Sequence, residues 1–243
     1  MKIIVIQKAL KKQGYNPGAL DGAWGRPSIN ALKDFQQSHG LRADGVLDVE
    51  TVGVLLGDGT KSSAGSLEGP AADLPAASTL PIVWYEEARR LIGTREVKGS
   101  PSNPKILQWA GKLGIPYKGD DIPWCGLFVA HCVGATLPGE TLPTNPLGAR
   151  NWGKFGTKCK PVLGSVLVFW RGSKNGAFGH VGFYHGEDDV AYHVLGGNQS
   201  DQVNVARVAK NRLLGARQPA TFPPLATGPV KRSKTGDLSR NEA

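Results

Sequence analysis

The sequence predicts an α+β protein: a small three-helix N-terminal module, then a larger domain with helices packed on an antiparallel sheet. Three observations predict it. Apolar residues recur at helical three-and-four spacing in residues 3–36 and again between 82 and 133. From 160 onward they gather in short runs broken by glycine-rich turns, the pattern of strands. Between these regions, residues 57–80 are rich in Gly, Ser, Ala and Pro, without an aromatic residue, and read as a flexible linker. The division is therefore 1–56, a linker at 57–80, a domain at 81–223, and a polar, aromatic-free basic tail at 224–243 expected to be disordered.

In the module, residues 3–13 place Ile3, Ile6 and Leu10 on one helical face, and Gly14 ends the helix. An internal echo follows. Asp21-Gly22-x-x-Gly25-x-x-Ser28-x-x-Ala31-Leu32 recurs as Asp44-Gly45-x-x-Asp48-x-x-Thr51-x-x-Val54-Leu55. Each copy reads as a tight Asp-Gly turn into a helix capped by the hydroxyl of Ser28 or Thr51. Ile29, Leu32, Phe35 and Gln36 share helical spacing in the first copy.

Ile6-Gln7, Leu10, Gly14-Tyr15, Pro17-Gly18, Leu20-Asp21-Gly22-x-Trp24-Gly25, Ala31-Leu32-x-x-Phe35-Gln36, Gly40-Leu41, Asp44-Gly45-x-Leu47 and Thr51 together resemble peptidoglycan-binding domain 1 sequences. Ser28 stands where that family usually has Thr, and Asp48 where it usually has Gly. The resemblance implies binding to the stem peptide or glycan of the cell-wall polymer, without catalysis. Most of these positions are core and turn. Asp21, Trp24 and Gln36 are the candidate ligand contacts.

In the larger domain, Trp84, Ala88, Leu91 and Ile92 mark one helix, and Ile106, Trp109, Ala110 and Leu113 a second. Pro123 cannot sit inside a helix but can precede one, so Cys125, Phe128, Val129 and Cys132 share the face of a third helix that starts at or near Cys125. Asp120 and Asp121 are expected to cap it, with Asp121 also a candidate for the substrate amine. Residues 160–170 read as a turn into a fully buried strand. Gly172 to Gly179 form a hairpin loop, His180 opens the next strand, and 190–195 form another, ending in Gly196-Gly197-Asn198-Gln199.

This order has chemical meaning. The thiolate is the nucleophilic form of cysteine, and a helix N-terminus is expected to lower the thiol pKa. An imidazole facing it can take the proton and return it to a leaving amine. A cysteine on a helix, a histidine on a sheet and a polar group on the next strand make the papain-like arrangement. Cys132, two turns on among apolar residues, reads as a buried structural thiol. His131 and His185 read as core or surface residues.

Trp124-Cys125-x-x-Phe128-Val129, Gly164-Ser165-Val-x-Val168-Phe169, Gly179-His180-Val181-Gly182 and Gly196-Gly197-Asn198-Gln199 resemble the CHAP and NlpC-type cysteine amidohydrolases of cell walls. So does the upstream Ala88-x-x-Leu91-Ile92-Gly93-x-x-Glu96-x-x-Gly99. The resemblance spans about 82–220. It implies Cys125 as nucleophile, His180 as general base and acid, and Trp124 beside the substrate. For the third member, Asn198 matches the Asn after the last strand in CHAP-type sequences, and His193 would match the His of NlpC-type ones. Asn198 is favoured on its local match.

Composition bounds the rest. The formal net charge is +9, and residues 81–223 carry 17 Lys and Arg against 10 Asp and Glu. A basic surface suits polyanions, including an acidic cell envelope. Zinc-finger spacing, aromatic RNA-binding motifs and a continuous basic helix are absent, so nucleic acid is not the expected partner. The three cysteines match neither a disulfide framework nor a zinc motif, and no cofactor or metal is expected. The apolar run after Lys2 stops at Gln7, too short for a signal-peptide core. No stretch approaches the ~18–20 residues needed to span a membrane, so no stable membrane insertion is expected. The reading is a monomeric phage-endolysin-like hydrolase, made in the cytoplasm and acting on the wall. Its rivals are a wall-binding protein without catalysis, or a muramidase using Glu86, Glu87 or Glu96.

Overall fold

Residues 1–57 fold as three helices joined by two tight turns, in a computed structural model that describes residues 1–57, 80–99, 101–225, 228–234 and 236–239. The expected linker falls, at 58–79, outside the described residues. Helix α1 (Ile3–Lys12) buries Ile3, Ile6 and Leu10, and the chain reverses where Gly14 takes φ 91°. Helix α2 (Arg26–Ser38) has a proline in its first turn and buries Ile29, Leu32 and Phe35. Helix α3 (Val49–Leu56) is capped by Asp48, whose carboxylate accepts the Thr51 N–H at 2.7 Å.

The cap thus differs from the expectation. Ser28 and Thr51 lie one turn inside their helices, and their hydroxyls serve a different purpose. The Gln7 side chain donates to Ala23 O (2.9 Å) and Ser28 Oγ (3.1 Å), and accepts the Gly22 N–H (2.9 Å). Gln36 repeats this, donating to Val46 O (3.1 Å) and Thr51 Oγ1 (3.2 Å) and accepting from Gly45 N–H (2.8 Å). The sequence echo is therefore a repeated device: a buried glutamine staples each Asp-Gly turn to the helix that follows it.

The larger domain begins with helices α4 (Val83–Arg90), α5 (Pro104–Leu113) and α6 (Cys125–Thr136). Asn103 caps α5, and Gly114 ends it at φ 64°. Helix α6 is buried along nearly its whole surface, because α4 and α5 flank it and the sheet lies beneath. A 3-10 turn, Ala149–Lys154, leads into strands β1 (Thr157–Cys159), β2 (Val166–Trp170), β3 (Gly179–Glu187), β4 (Ala191–Gly196), β5 (Asn204–Ala209) and β6 (Leu213–Gln218). They form one sheet, ordered β1-β6-β2-β3-β4-β5, with every neighbouring pair antiparallel. The protein is a mixture of helices and antiparallel sheet, as the sequence predicts.

Both faces of the sheet are covered, which explains the unbroken apolar run of β2. Val166, Val168, Val181, Phe183 and Leu195 pack into the core that includes α4 and α6. Leu167, Phe169, Tyr184, Val194 and Val208 form a second core on the opposite face.

Among the described residues of the segment expected as a disordered tail, 228–234 and 236–239 lie against part of that second face. Val230 packs against the second core, and its N–H donates to the Tyr184 hydroxyl at 3.0 Å. The Glu187 N–H reaches Val230 O at 2.8 Å, and the Arg207 guanidinium reaches Gly236 O at 2.6 Å. A polar segment has no core of its own, but here the sheet supplies both an apolar face and hydrogen-bonding partners.

Candidate active site

Cys125 is the first residue of α6. No side chain caps this helix: Asp120, expected there, is buried and accepts the N–H groups of Val97 (3.0 Å) and Asn103 (2.8 Å) instead, while Asp121 is exposed. The loop 145–148 presses against the helix start. A Cβ on Gly126 would collide with the carbonyl oxygens of Pro146 and Leu147, so the close approach requires glycine.

The thiol lies against the beginning of β3, where the backbone N–H of Val181, the residue after His180, favours the thiolate. Alternation along β3 sends Val181 and Phe183 to the α6 face. His180 is in register with Phe169, on the second face. Cys125 and His180 are thus both placed at the end of the sheet where β3 begins, beyond the paired stretch of β3 and β4.

The His180 partner is Gln199, 2.9 Å from its Nε2. The Gln199 amide has one available orientation. Its Nε2 donates to Val194 O (3.2 Å), Asn204 O (2.7 Å) and Asn204 Oδ1 (2.9 Å), all acceptors. Oε1 must then face the imidazole, and His180 must carry its proton on Nε2, which leaves Nδ1 as the basic nitrogen. Gly196 makes room for this pair, since a Cβ there would stand 2.8 Å from Gln199 Oε1 and 3.1 Å from His180 Nε2.

The residue at His180 Nε2 is thus the neighbour of the sequence candidate Asn198. Asn198 sits one residue before Gln199 and shapes the turn, with φ 57°; Ser200 and Asp201 follow at 51° and 61°. Three non-glycine residues in the left-handed region within four positions are stored strain at the segment that carries Gln199. His193 is engaged elsewhere. Its Nε2 lies 2.9 Å from Asp188 Oδ2, which also pairs with Arg207 at 2.8 Å. Hydrogen bonds led by that from Arg207 hold the Asp188 carboxyl far below the usual range.

The site is closed to water. Cys125 is 2% exposed and His180 0%. Burial pushes the Cys125 thiol up from its ordinary value, against the Val181 and Gly126 N–H groups and the Arg171 charge, which pull it down. The helix N-terminus therefore does not produce the lowered pKa expected from sequence, because desolvation is the larger effect. Trp124 is also fully buried. Its indole N–H donates to Glu96 at 3.1 Å and its ring packs near Trp109, so it supports the site from behind. All three cysteines are free, and burial raises Cys132 well above its ordinary value, as suits a structural thiol.

The remaining candidates have structural partners. Glu86 pairs with Arg89, and Glu87 with Arg90 and His131. His131 stacks on Trp109 at 5.0 Å. His185 Nδ1 lies 2.6 Å from the Tyr85 hydroxyl; burial and neighbouring arginines lower His185 to about 4, and burial raises Tyr85 to about 12. The hydroxyl therefore donates to a neutral imidazole. In the module, Gln36 is fully buried as a staple, Asp21 accepts the Ala23 N–H at 2.9 Å, and Trp24 is 2% exposed. Among the described residues no group of His, Cys, Asp and Glu could hold a metal ion, and no helix is long and apolar enough to cross a membrane.

Residues 2–55 match the family model of the peptidoglycan binding domain. The N-terminal module is thus a peptidoglycan-binding domain, and its family supports association with the cell wall. Comparison with curated proteins and with solved structures finds no match to the chain.

Proposed function

We propose that the chain is a wall-anchored hydrolase of papain-like type. It would cleave an amide of the stem peptide or the muramoyl-alanine linkage, in the manner of a phage endolysin. One observation carries the reading: a helix-initial cysteine contacts the strand opened by His180, whose tautomer Gln199 sets. Nδ1 takes the thiol proton as Sγ attacks the amide carbonyl. The oxyanion forms at the N-terminus of α6, where backbone N–H groups including that of Cys125 point outward. The imidazolium then gives its proton to the leaving amine, and water, deprotonated by the same nitrogen, releases the acyl group from the thioester. Gln199 holds the ring throughout and touches no substrate. Because the thiol is sealed, substrate must displace the segments over the helix start. The hairpin after β2 borders them and is pinned where Arg150 donates to the carbonyls of Ser173, Lys174 and Phe178.

The test is digestion of purified peptidoglycan by the wild-type chain and by Cys125→Ala, with fragments read by mass spectrometry. New amine and carboxyl ends that vanish in the variant are expected. Equal digestion by both proteins, or new reducing sugars, would move catalysis to the glutamates. Wall binding with no digestion by either would make the larger domain a second binding unit.

A further inference from the structure

The peptidoglycan-binding domain and the larger domain meet along α2 and α6, and a groove of ≈ 730 Å³ runs between them. Gly134 and Ala135 of α6 line it, with Pro138 just beyond that helix. Trp24 from the module and Trp109 from α5 contribute to opposite walls. Arg26 and Lys33 line it from α2, and Lys105 and Lys112 from α5. No carboxylate among the described residues forms an ion pair with any of these four cations. The groove also holds Arg90 and Glu87, but these pair with each other at 2.7 Å, and Glu87 further engages His131. The charge of Asp21 also acts on Arg90. The uncompensated charge of the groove is therefore positive and comes from both domains.

We propose that this junction groove binds the free carboxylates of a peptidoglycan stem peptide, as a composite subsite that neither domain forms alone. The proposal rests on the wall-hydrolase reading above. Charge complementarity selects the ligand: stem peptides carry free carboxylates, and four cations whose charge no described carboxylate neutralises through an ion pair attract them. The binding domain would then orient the wall polymer as well as concentrate it.

The test uses the full-length chain carrying Cys125→Ala, so that nothing is turned over. The ligand is a soluble disaccharide-peptide released from peptidoglycan by a muramidase, and its affinity is measured calorimetrically. Lys33→Glu with Lys112→Glu is expected to weaken binding by about 10-fold or more, and amidation of the ligand carboxylates to weaken it similarly. Lys33→Gln with Lys112→Gln, a milder change, should show the same direction if the charge-reversed chain does not fold. Unchanged affinity in a folded variant, insensitivity to amidation, or no binding of the soluble peptide would each overturn the groove proposal. Sedimentation of the parent chain with intact peptidoglycan separates this from the underlying reading. Co-sedimentation with an unaffected groove variant refutes the groove alone, and failure to co-sediment refutes wall association itself.

Discussion

Replacing Gln199 by Ala separates orientation of the imidazole from every other role in the site. The side chain is 1% exposed and makes four contacts: one to His180 Nε2 and three to Val194 and Asn204. Each such bond contributes about 1 kcal/mol net, and each buried group left without a partner costs more. Some of these acceptors keep other bonds, so the expected loss of stability is about 2–4 kcal/mol. The catalytic effect is separate. Without Oε1 the preference for Nε2–H is lost, and on the proposed mechanism a ring that carries its proton on Nδ1 cannot act as base toward the thiol. Loss of such an orienting group typically costs about 10- to 100-fold. The fall should appear in kcat, with KM unchanged, because Gln199 is sealed from substrate. Asn198→Gly is the companion variant. It preserves the positive φ of 57° and should leave kcat close to wild type. The assay is the initial rate of release of soluble peptide from peptidoglycan, with thermal melting followed by circular dichroism on the same samples. A folded Gln199→Ala chain with wild-type kcat would refute the assignment. Loss of activity in Asn198→Gly to the level of Cys125→Ala would restore the residue that the sequence favours.

Three further predictions follow from the packing. Burial works to raise the Glu87 pKa, but hydrogen bonds from His131 and Arg90 outweigh it and bring it down to about 2 from 4.5. A depressed carboxylate pKa stabilises above the unfolded value and loses that contribution as pH falls through the folded one. The stability gap between wild type and Glu87→Gln should therefore be on the order of 3 kcal/mol at neutral pH and vanish between about pH 4.5 and pH 2; a gap independent of pH in denaturant titrations would sink this. Gly126→Ala forces its methyl into the carbonyls of Pro146 and Leu147, and should cost about 1–3 kcal/mol and reduce kcat by displacing Cys125. Gln7→Ala and Gln36→Ala should each melt the binding domain at lower temperature by similar amounts, since they staple equivalent turns. A Gln36→Ala chain that keeps its melting temperature but loses wall binding would instead make Gln36 a ligand contact.

Much of the helical part was legible in the sequence, because one buried stripe at 3.6-residue spacing leaves a clear signature. Ile3, Ile6 and Leu10 in α1 and Ile106, Trp109 and Ala110 in α5 are such stripes. The start of α6 was legible from Pro123, which bars a helix from extending backward through it. Strands β2, β3 and β4 stood out because both faces are covered. Strands β1, β5 and β6 did not, because their exposed and half-exposed polar residues, among them Lys158 and Arg217, dilute the alternation. The packing of Val230 was not legible for the same reason: composition records what a segment can bury by itself, and Val230 packs on a face supplied by the sheet.

For the candidate site, the sequence by itself determined the order of its residues: a cysteine at a helix start, a histidine at a strand start, and a polar turn after the next strand. These are local facts, set by proline, glycine and periodicity. Which polar residue of that turn faces the imidazole was decided only in three dimensions. Asn198 and Gln199 are adjacent and both can serve; Asn198 takes the left-handed backbone of the turn, and the carbonyls of Val194 and Asn204 hold the Gln199 amide toward the imidazole. The thiol pKa was likewise beyond sequence. A helix terminus is a local property, whereas desolvation sums over everything packed above it, and here the larger sum prevails.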